Sequence, residues 1–171
     1  EQQSSGQYFP VRRELTEDDV AEHLEGQWSI GFYTTVPVKN TVKYIVWDLD
    51  THDQAATDAL RLLVESMLDQ NNIDYDRHSL LMESSGNKGV HVWLFLDTPL
   101  PARQVRAWVE RDFFPGWRAL GYKDLEVFPK SDAVDEGSFG NLVKGPLGVH
   151  AVTGNKSEVV VTQGWANSVN E

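Results

Sequence analysis

The chain has 171 residues, 40% hydrophobic and 11% aromatic, enough to bury about 70% of its extended-chain surface, which excludes intrinsic disorder and a disulfide-dependent miniprotein. It has no cysteine, so disulfide frameworks, thiol nucleophiles, zinc fingers and iron-sulfur clusters are excluded within it. A net charge of -11 argues against broad, salt-driven adhesion to nucleic acid or anionic lipid, so any such partner must meet a local basic patch.

In chain order, Thr16 followed by Glu17, Asp18 and Asp19 predicts a capped helix through Val20, Ala21 and Leu24, with Gly26 just past its end. Trp28 to Val36 and Val42 to Asp48 are rich in β-branched and aromatic residues around the turn material Pro37 to Asn40, a pattern expected of a hairpin. From Asp53 to Gln70, Ala56, Leu60, Leu63, Val64, Met67 and Leu68 follow the 3.6-residue period of a helix that stops at Asn71-Asn72. Ser79 to Glu83 and Gly89 to Leu96 read as a second strand pair around Ser84-Ser85-Gly86-Asn87-Lys88. Pro101 suits a first helical position, and Val105, Trp108, Val109 and Phe113 form an apolar face expected to end before Pro115-Gly116. Leu125 to Phe128, Leu142 to Val143 and Glu158 to Thr162 are shorter strand candidates. Helices mixed with several hairpins predict an α+β fold rather than a doubly wound parallel sheet.

Three groups of residues can carry chemistry. Asp48 and Asp50 flank Leu49 at a strand end, where the two-residue period puts both carboxylates on one face. Hard oxygen ligands so spaced suit magnesium or manganese, although a lone pair of this kind is more often a set of capping or turn aspartates before the next helix. The turn Ser84 to Gly89 offers hydroxyls, backbone amides and Lys88, with His91 two residues into the following strand, a combination that can cradle a polyphosphate or simply form a polar hairpin turn. Glu126, with Asp124 expected on the same strand face, supplies a third acid. Lys130, Lys144 and His150 supply positive charge near it or surface polarity.

Taken together, a D-x-D ending a strand, a serine-glycine-lysine-glycine-x-histidine turn, and an acidic strand followed by F-P-K and G-N-L-V-K-x-P-L-G resemble the archaeo-eukaryotic primase superfamily. The likeness is greatest to primase-polymerases of mobile-element conflict systems of the TOTE type and of CRISPR loci, and runs from about His23 to Gly154. It implies a primase-like core of mixed and antiparallel sheets with an RRM-like unit and flanking helices. Residues 1–15 would be an N-terminal segment, 16–166 the catalytic domain and 167–171 a loose end. It further implies that Asp48, Asp50 and Glu126 bind two catalytic Mg2+ or Mn2+ ions, and that Ser85, Lys88 and His91 hold the triphosphate of an NTP or dNTP. Lys130, Asn141, Lys144 and His150 would contact nucleotide or template. Ser131 and Gly145 depart from the glutamine and leucine frequent in the family, and the cysteine zinc knuckle of some relatives is absent.

The implied activity is metal-dependent nucleotidyl transfer that makes and extends primers on single-stranded DNA. A silent single-strand binding module and a metal-dependent phosphohydrolase or nuclease are the alternatives. Lys88, Arg103, Arg106, Arg111, Arg118, Lys123 and Lys130 concentrate mid-chain, which would allow a one-sided basic groove. No stretch approaches the ~20 apolar residues of a membrane span and no leader pattern opens the chain, so the reading is a soluble, cytoplasmic protein without a membrane partner. The start at Glu1, without methionine, suggests a piece of a longer parent with other domains.

Overall fold

Local sequence signals form most of the elements in the computed structural model, which describes residues 9–76 and 78–160. Helix α1 (Glu17–Glu25) starts with a reciprocal capping box between Thr16 and Asp19 and ends at Gly26 in the left-handed region, φ 82°. Strands β1 (Gly31–Tyr33) and β2 (Thr41–Leu49) follow, then α2 (Gln54–Gln70), capped by the Asp53 side chain. The hairpin of β3 (Leu80–Ser84) and β4 (Val90–Pro101) leads into α3 (Ala102–Asp112), α4 (Phe114–Leu120), β5 (Leu125–Phe128) and β6 (Leu142–Lys144).

The main sheet has the order β3-β4-β2-β5, antiparallel throughout. With α2 between β2 and β3, and α3 and α4 between β4 and β5, this is the split β-α-β-β-α-β arrangement of an RRM-like unit in an α+β fold. Alternation along each strand separates two faces. Ile45, Trp47, Leu49, Met82, Val92 and Leu94 pack against Leu60, Val64 and Met67 of α2 and Val105 and Val109 of α3. The opposite face carries Val46, Trp93 and Phe128, packed with Val143 of β6.

Three expectations need correction. The segment from Trp28 to Val36 does not pair with β2 as a hairpin: β1 pairs with β6, Phe32 opposite Val143, and the two segments meet through a Val36–Thr41 bridge and the Tyr44 hydroxyl, which donates to Tyr33 O. Long-range bonds draw the turn away, since Thr34 N–H donates to Asn141 O, Val38 N–H to Val134 O and Val134 N–H to Asn40 Oδ1, with Val38 and Asn40 both at positive φ. Pro101 is the N-cap of α3 and the last residue of β4, not a first helical residue. Helix α3 ends at Asp112, before Pro115-Gly116 as expected, and those two residues fall in the first turn of the short α4, where the missing proline N–H costs nothing. Asp124 precedes β5 at φ 60°, so strand alternation does not carry it beside Glu126.

Glu158 to Val160 line the free edge of β3 through a Glu83–Val159 bridge, with Ser84 N–H donating to Glu158 O and Val160 N–H to Met82 O. Residues 161–162 of that expected strand lie outside the described residues, as do residues 1–8 of the N-terminal segment and the end expected to be loose, 167–171. Among the described residues, no helix is long and apolar enough to cross a membrane.

Candidate active site

The ladders align four polar residues in one row across the main sheet. Glu83 of β3 faces His91 of β4, His91 faces Asp48 of β2, and Asp48 faces Glu126 of β5. The next row on the same face is apolar: Leu81, Trp93, Val46 and Phe128. The polar row is therefore supported from one side by a small second core and meets clefts on the other.

His91 is buried among carboxylates, with Nδ1 3.0 Å from Glu83 Oε1 and Nε2 3.4 Å from Asp48 Oδ1. Burial alone would push its imidazole down. The hydrogen bonds to Asp48 and Glu83, reinforced by their charges, outweigh burial and raise it to about 9. The other two acids also face cations: Lys88 Nζ lies 3.2 Å from Asp50 Oδ2, and Lys130 Nζ lies 2.6 Å from Glu126 Oε2 while resting over the Phe128 ring.

A cleft of about 810 Å³ opens on this row, lined by Asp48, Asp50, Ser85, Asn87, His91, Lys144 and His150 together with Trp28, Phe32 and Tyr33. The turn entering it is tightly made. Gly86 and Gly89 take positive φ, and a Cβ on Gly89 would collide with the Leu49 carbonyl at the end of β2. Close approach here is what brings Lys88 over Asp50.

A model of the archaeo-eukaryotic primase domain of TOTE conflict systems matches residues 4–167. The chain belongs to this family. Among solved structures it is similar to the polymerase domain of Mycobacterium tuberculosis ligase D in complex with DNA, at 17% identity and a TM-score of 0.46. That match covers 76% of this chain and 46% of the other. A search of curated proteins finds no match.

For a primase domain of this family, the residues singled out in the sequence divide between two places. Asp48, Asp50, Ser85, His91, Lys144 and His150 share the first cleft. Glu126 and Lys130 line a second one of about 680 Å³, with Arg103, Arg106, Glu110 and Asp132. Asn141 and Lys88 line neither: the Asn141 carbonyl accepts Thr34 N–H, and Lys88 meets the site through its ion pair with Asp50. The expected basic groove is charge-balanced: Arg106 pairs with Asp132, Arg118 with Glu110, Arg111 with Asp112, and Lys130 with Glu126.

Ser85 staples its own turn, donating its hydroxyl to Lys88 O at 2.7 Å. Lys144 reaches in from β6, donating to Ser157 Oγ at 2.8 Å and Ser85 O at 3.2 Å, and burial lowers its pKa despite the nearby Glu83 and Asp48 charges. His150 accepts Thr153 N–H on Nδ1, so Nε2 carries the proton of the neutral ring, and burial followed by the Lys144 and His91 charges lowers its pKa.

No preformed cage of three metal-ligating side chains exists among the described residues. The donor set nonetheless fits a hard divalent cation. Asp48 and Glu126 are directly opposed on one face of the β2–β5 ladder, Asp50 follows at the strand end, and carboxylate oxygens are the donors such an ion takes.

The sequence reading passed over Glu83. It is fully buried and accepts hydrogen bonds from His91, Trp93 and Leu147. The signal was an acid inside the apolar strand Leu80-Leu81-Met82, but the donors that make it tolerable lie as far away in sequence as Leu147.

Proposed function

We propose that this chain is a DNA primase-polymerase, a nucleotidyltransferase that makes and extends primers on single-stranded DNA from NTPs or dNTPs, with residues 16–166 as its catalytic domain, acting in the cytoplasm. The observation that carries the reading is the alignment of Asp48, His91 and Glu126 in one cross-strand row, with Lys144 lining the first cleft and Lys88 paired to Asp50 at its edge, in a member of a primase family. Asp48, Asp50 and Glu126 would hold Mg2+ or Mn2+. Bound there, the metal would supply charge stabilisation to the transferred phosphoryl group and its leaving pyrophosphate.

The chain's own residues do the rest. Lys88 and His91 neutralise carboxylates in the metal-free protein, and a triphosphate offers them an alternative anionic partner across the same cleft. Lys144, anchored by Ser157, and neutral His150 contribute further donors to the cleft. Trp28, Phe32 and Tyr33 present apolar and aromatic surface to a base. Lys130 and Arg103 would meet the acceptor strand beside Glu126.

Extension of a labelled primer annealed to single-stranded DNA, with Mn2+ and each nucleotide set, tests the reading. Wild type is expected to lengthen the primer and Asp48→Asn to leave it unchanged. Shortening of the primer by wild type would favour a nuclease, and metal-independent binding of the strand without extension a silent module.

A further inference from the structure

Glu83 contributes no side chain to either cleft, yet it is 0% exposed and lies at the end of the polar row. A buried carboxylate is costly unless its oxygens are hydrogen-bonded, and an apolar residue would often serve stability as well. Both oxygens here are engaged. Oε1 accepts His91 Nδ1–H at 3.0 Å and Trp93 Nε1–H at 3.1 Å, while Oε2 accepts the backbone N–H of Leu147 at 2.5 Å. Trp93 and Leu147 therefore fix the carboxylate, and the carboxylate fixes the imidazole.

The consequence for His91 is directional. An imidazole can turn over and exchange its two nitrogens; with Nδ1–H committed to Glu83, Nε2 is the nitrogen left facing Asp48 and the first cleft. The Leu147 bond adds a second constraint. It ties the sheet that carries His91 to the loop following β6, the strand that ends at Lys144, so two cations from separate sheets keep a fixed spacing across the cleft.

We propose that Glu83 is a positioning residue that orients His91, aiming Nε2–H at the triphosphate of the incoming nucleotide. This rests on the reading of His91 as a triphosphate ligand. Glu83 touches neither substrate nor metal in this scheme and acts through His91.

The experiment compares Glu83→Leu, Glu83→Gln, His91→Ala and the Glu83→Leu/His91→Ala double variant in the otherwise unaltered chain. One readout is the dissociation constant of a fluorescent dATP with Mn2+. The other is the imidazole and indole N–H proton spectrum of the nucleotide-free protein. Glutamine has one acceptor oxygen, so it can keep His91 and Trp93 but presents N–H to N–H at Leu147; it also serves if the leucine variant does not fold.

Glu83→Leu should weaken nucleotide binding about tenfold, close to the effect of His91→Ala, with Glu83→Gln in between. The double variant should bind no more than about twofold weaker than His91→Ala, as expected when one residue acts through the other. The hydrogen-bonded His91 Nδ1–H signal should be present in wild type and absent in Glu83→Leu. If His91→Ala binds nucleotide like wild type, the triphosphate reading fails and the proposal with it. If His91→Ala weakens binding but the folded Glu83 variants do not, or if the double variant loses the product of both single effects, the positioning role alone is overturned.

Discussion

His91 and Asp48 are direct partners across the β4–β2 ladder, with Nε2 3.4 Å from Oδ1, so the first acid of the D-x-D pair has a built-in cationic neighbour from the strand beside it. Lys88 stands to Asp50, and Lys130 to Glu126, in the same relation. Each carboxylate assigned to metal binding thus pairs with a cationic side chain that can also meet phosphate.

That arrangement predicts that the acids are expendable for folding. Glu126→Gln should change stability by less than about 1 kcal/mol, because its ion pair with Lys130 is largely exposed. Its rate of nucleotide addition should fall at least about a hundredfold. Urea unfolding and primer extension on the same preparation check both, and a variant that retains full activity would remove Glu126 from the site.

Stability of the metal-free protein should depend on pH through His91. Its folded pKa, raised to about 9, exceeds the ordinary value of 6.5. The stabilisation is therefore fully present below pH 6.5 and is lost as the pH rises through about 9. Urea midpoints of wild type and His91→Gln should converge across that interval, whereas a constant gap would contradict the charged, doubly bonded imidazole.

Gly89→Ala should destabilise the protein by at least about 2 kcal/mol, since position 89 combines a φ of 88° with backbone of Leu49 in the space a methyl group would take. The damage should reach the site as well. Moving the turn moves Lys88 away from Asp50, so nucleotide affinity should drop in whatever fraction remains folded. Equilibrium unfolding and nucleotide titration would register the two effects separately.

Lys88→Met removes the partner of Asp50 without touching a buried group. Folding should be unaltered within about 1 kcal/mol. Nucleotide binding with Mn2+ should weaken, and measuring it at two salt concentrations should show a shallower salt dependence than wild type. Equal affinity and equal salt dependence would show that Lys88 does not meet phosphate.

What the sequence made legible was local. The Ala56, Leu60, Val64, Met67 series describes one helix, and the turn from Ser84 to Gly89 joins neighbouring strands, so both elements follow from periodicity and turn chemistry over short spans. Asp48 was legible for the same reason, because alternation along β2 sets it opposite Trp47 and Leu49. The β1–β6 pairing was not legible: it joins residues more than a hundred positions apart, and a three-residue strand such as Gly31-Phe32-Tyr33 has no pattern that names its partner.

The same limit explains the site. Ser85 reads as a free hydroxyl until its bond to the Lys88 carbonyl is seen, and Glu83 draws no notice until Trp93 and Leu147 are found beside it. The mid-chain arginines suggested net positive charge, but their carboxylate partners come from other turns and elements: Arg106 meets Asp132 and Arg118 meets Glu110.

The central claim is best tested by synthesis on circular single-stranded DNA with Mn2+ and labelled nucleotides, without primer, comparing wild type with the Asp48→Ala/Asp50→Ala double variant. Labelled product from wild type and none from the folded variant is the result predicted. Equal product from both would contradict the assignment of these two aspartates, and no product from a wild-type protein that also fails to extend a supplied primer would contradict the primase-polymerase reading itself.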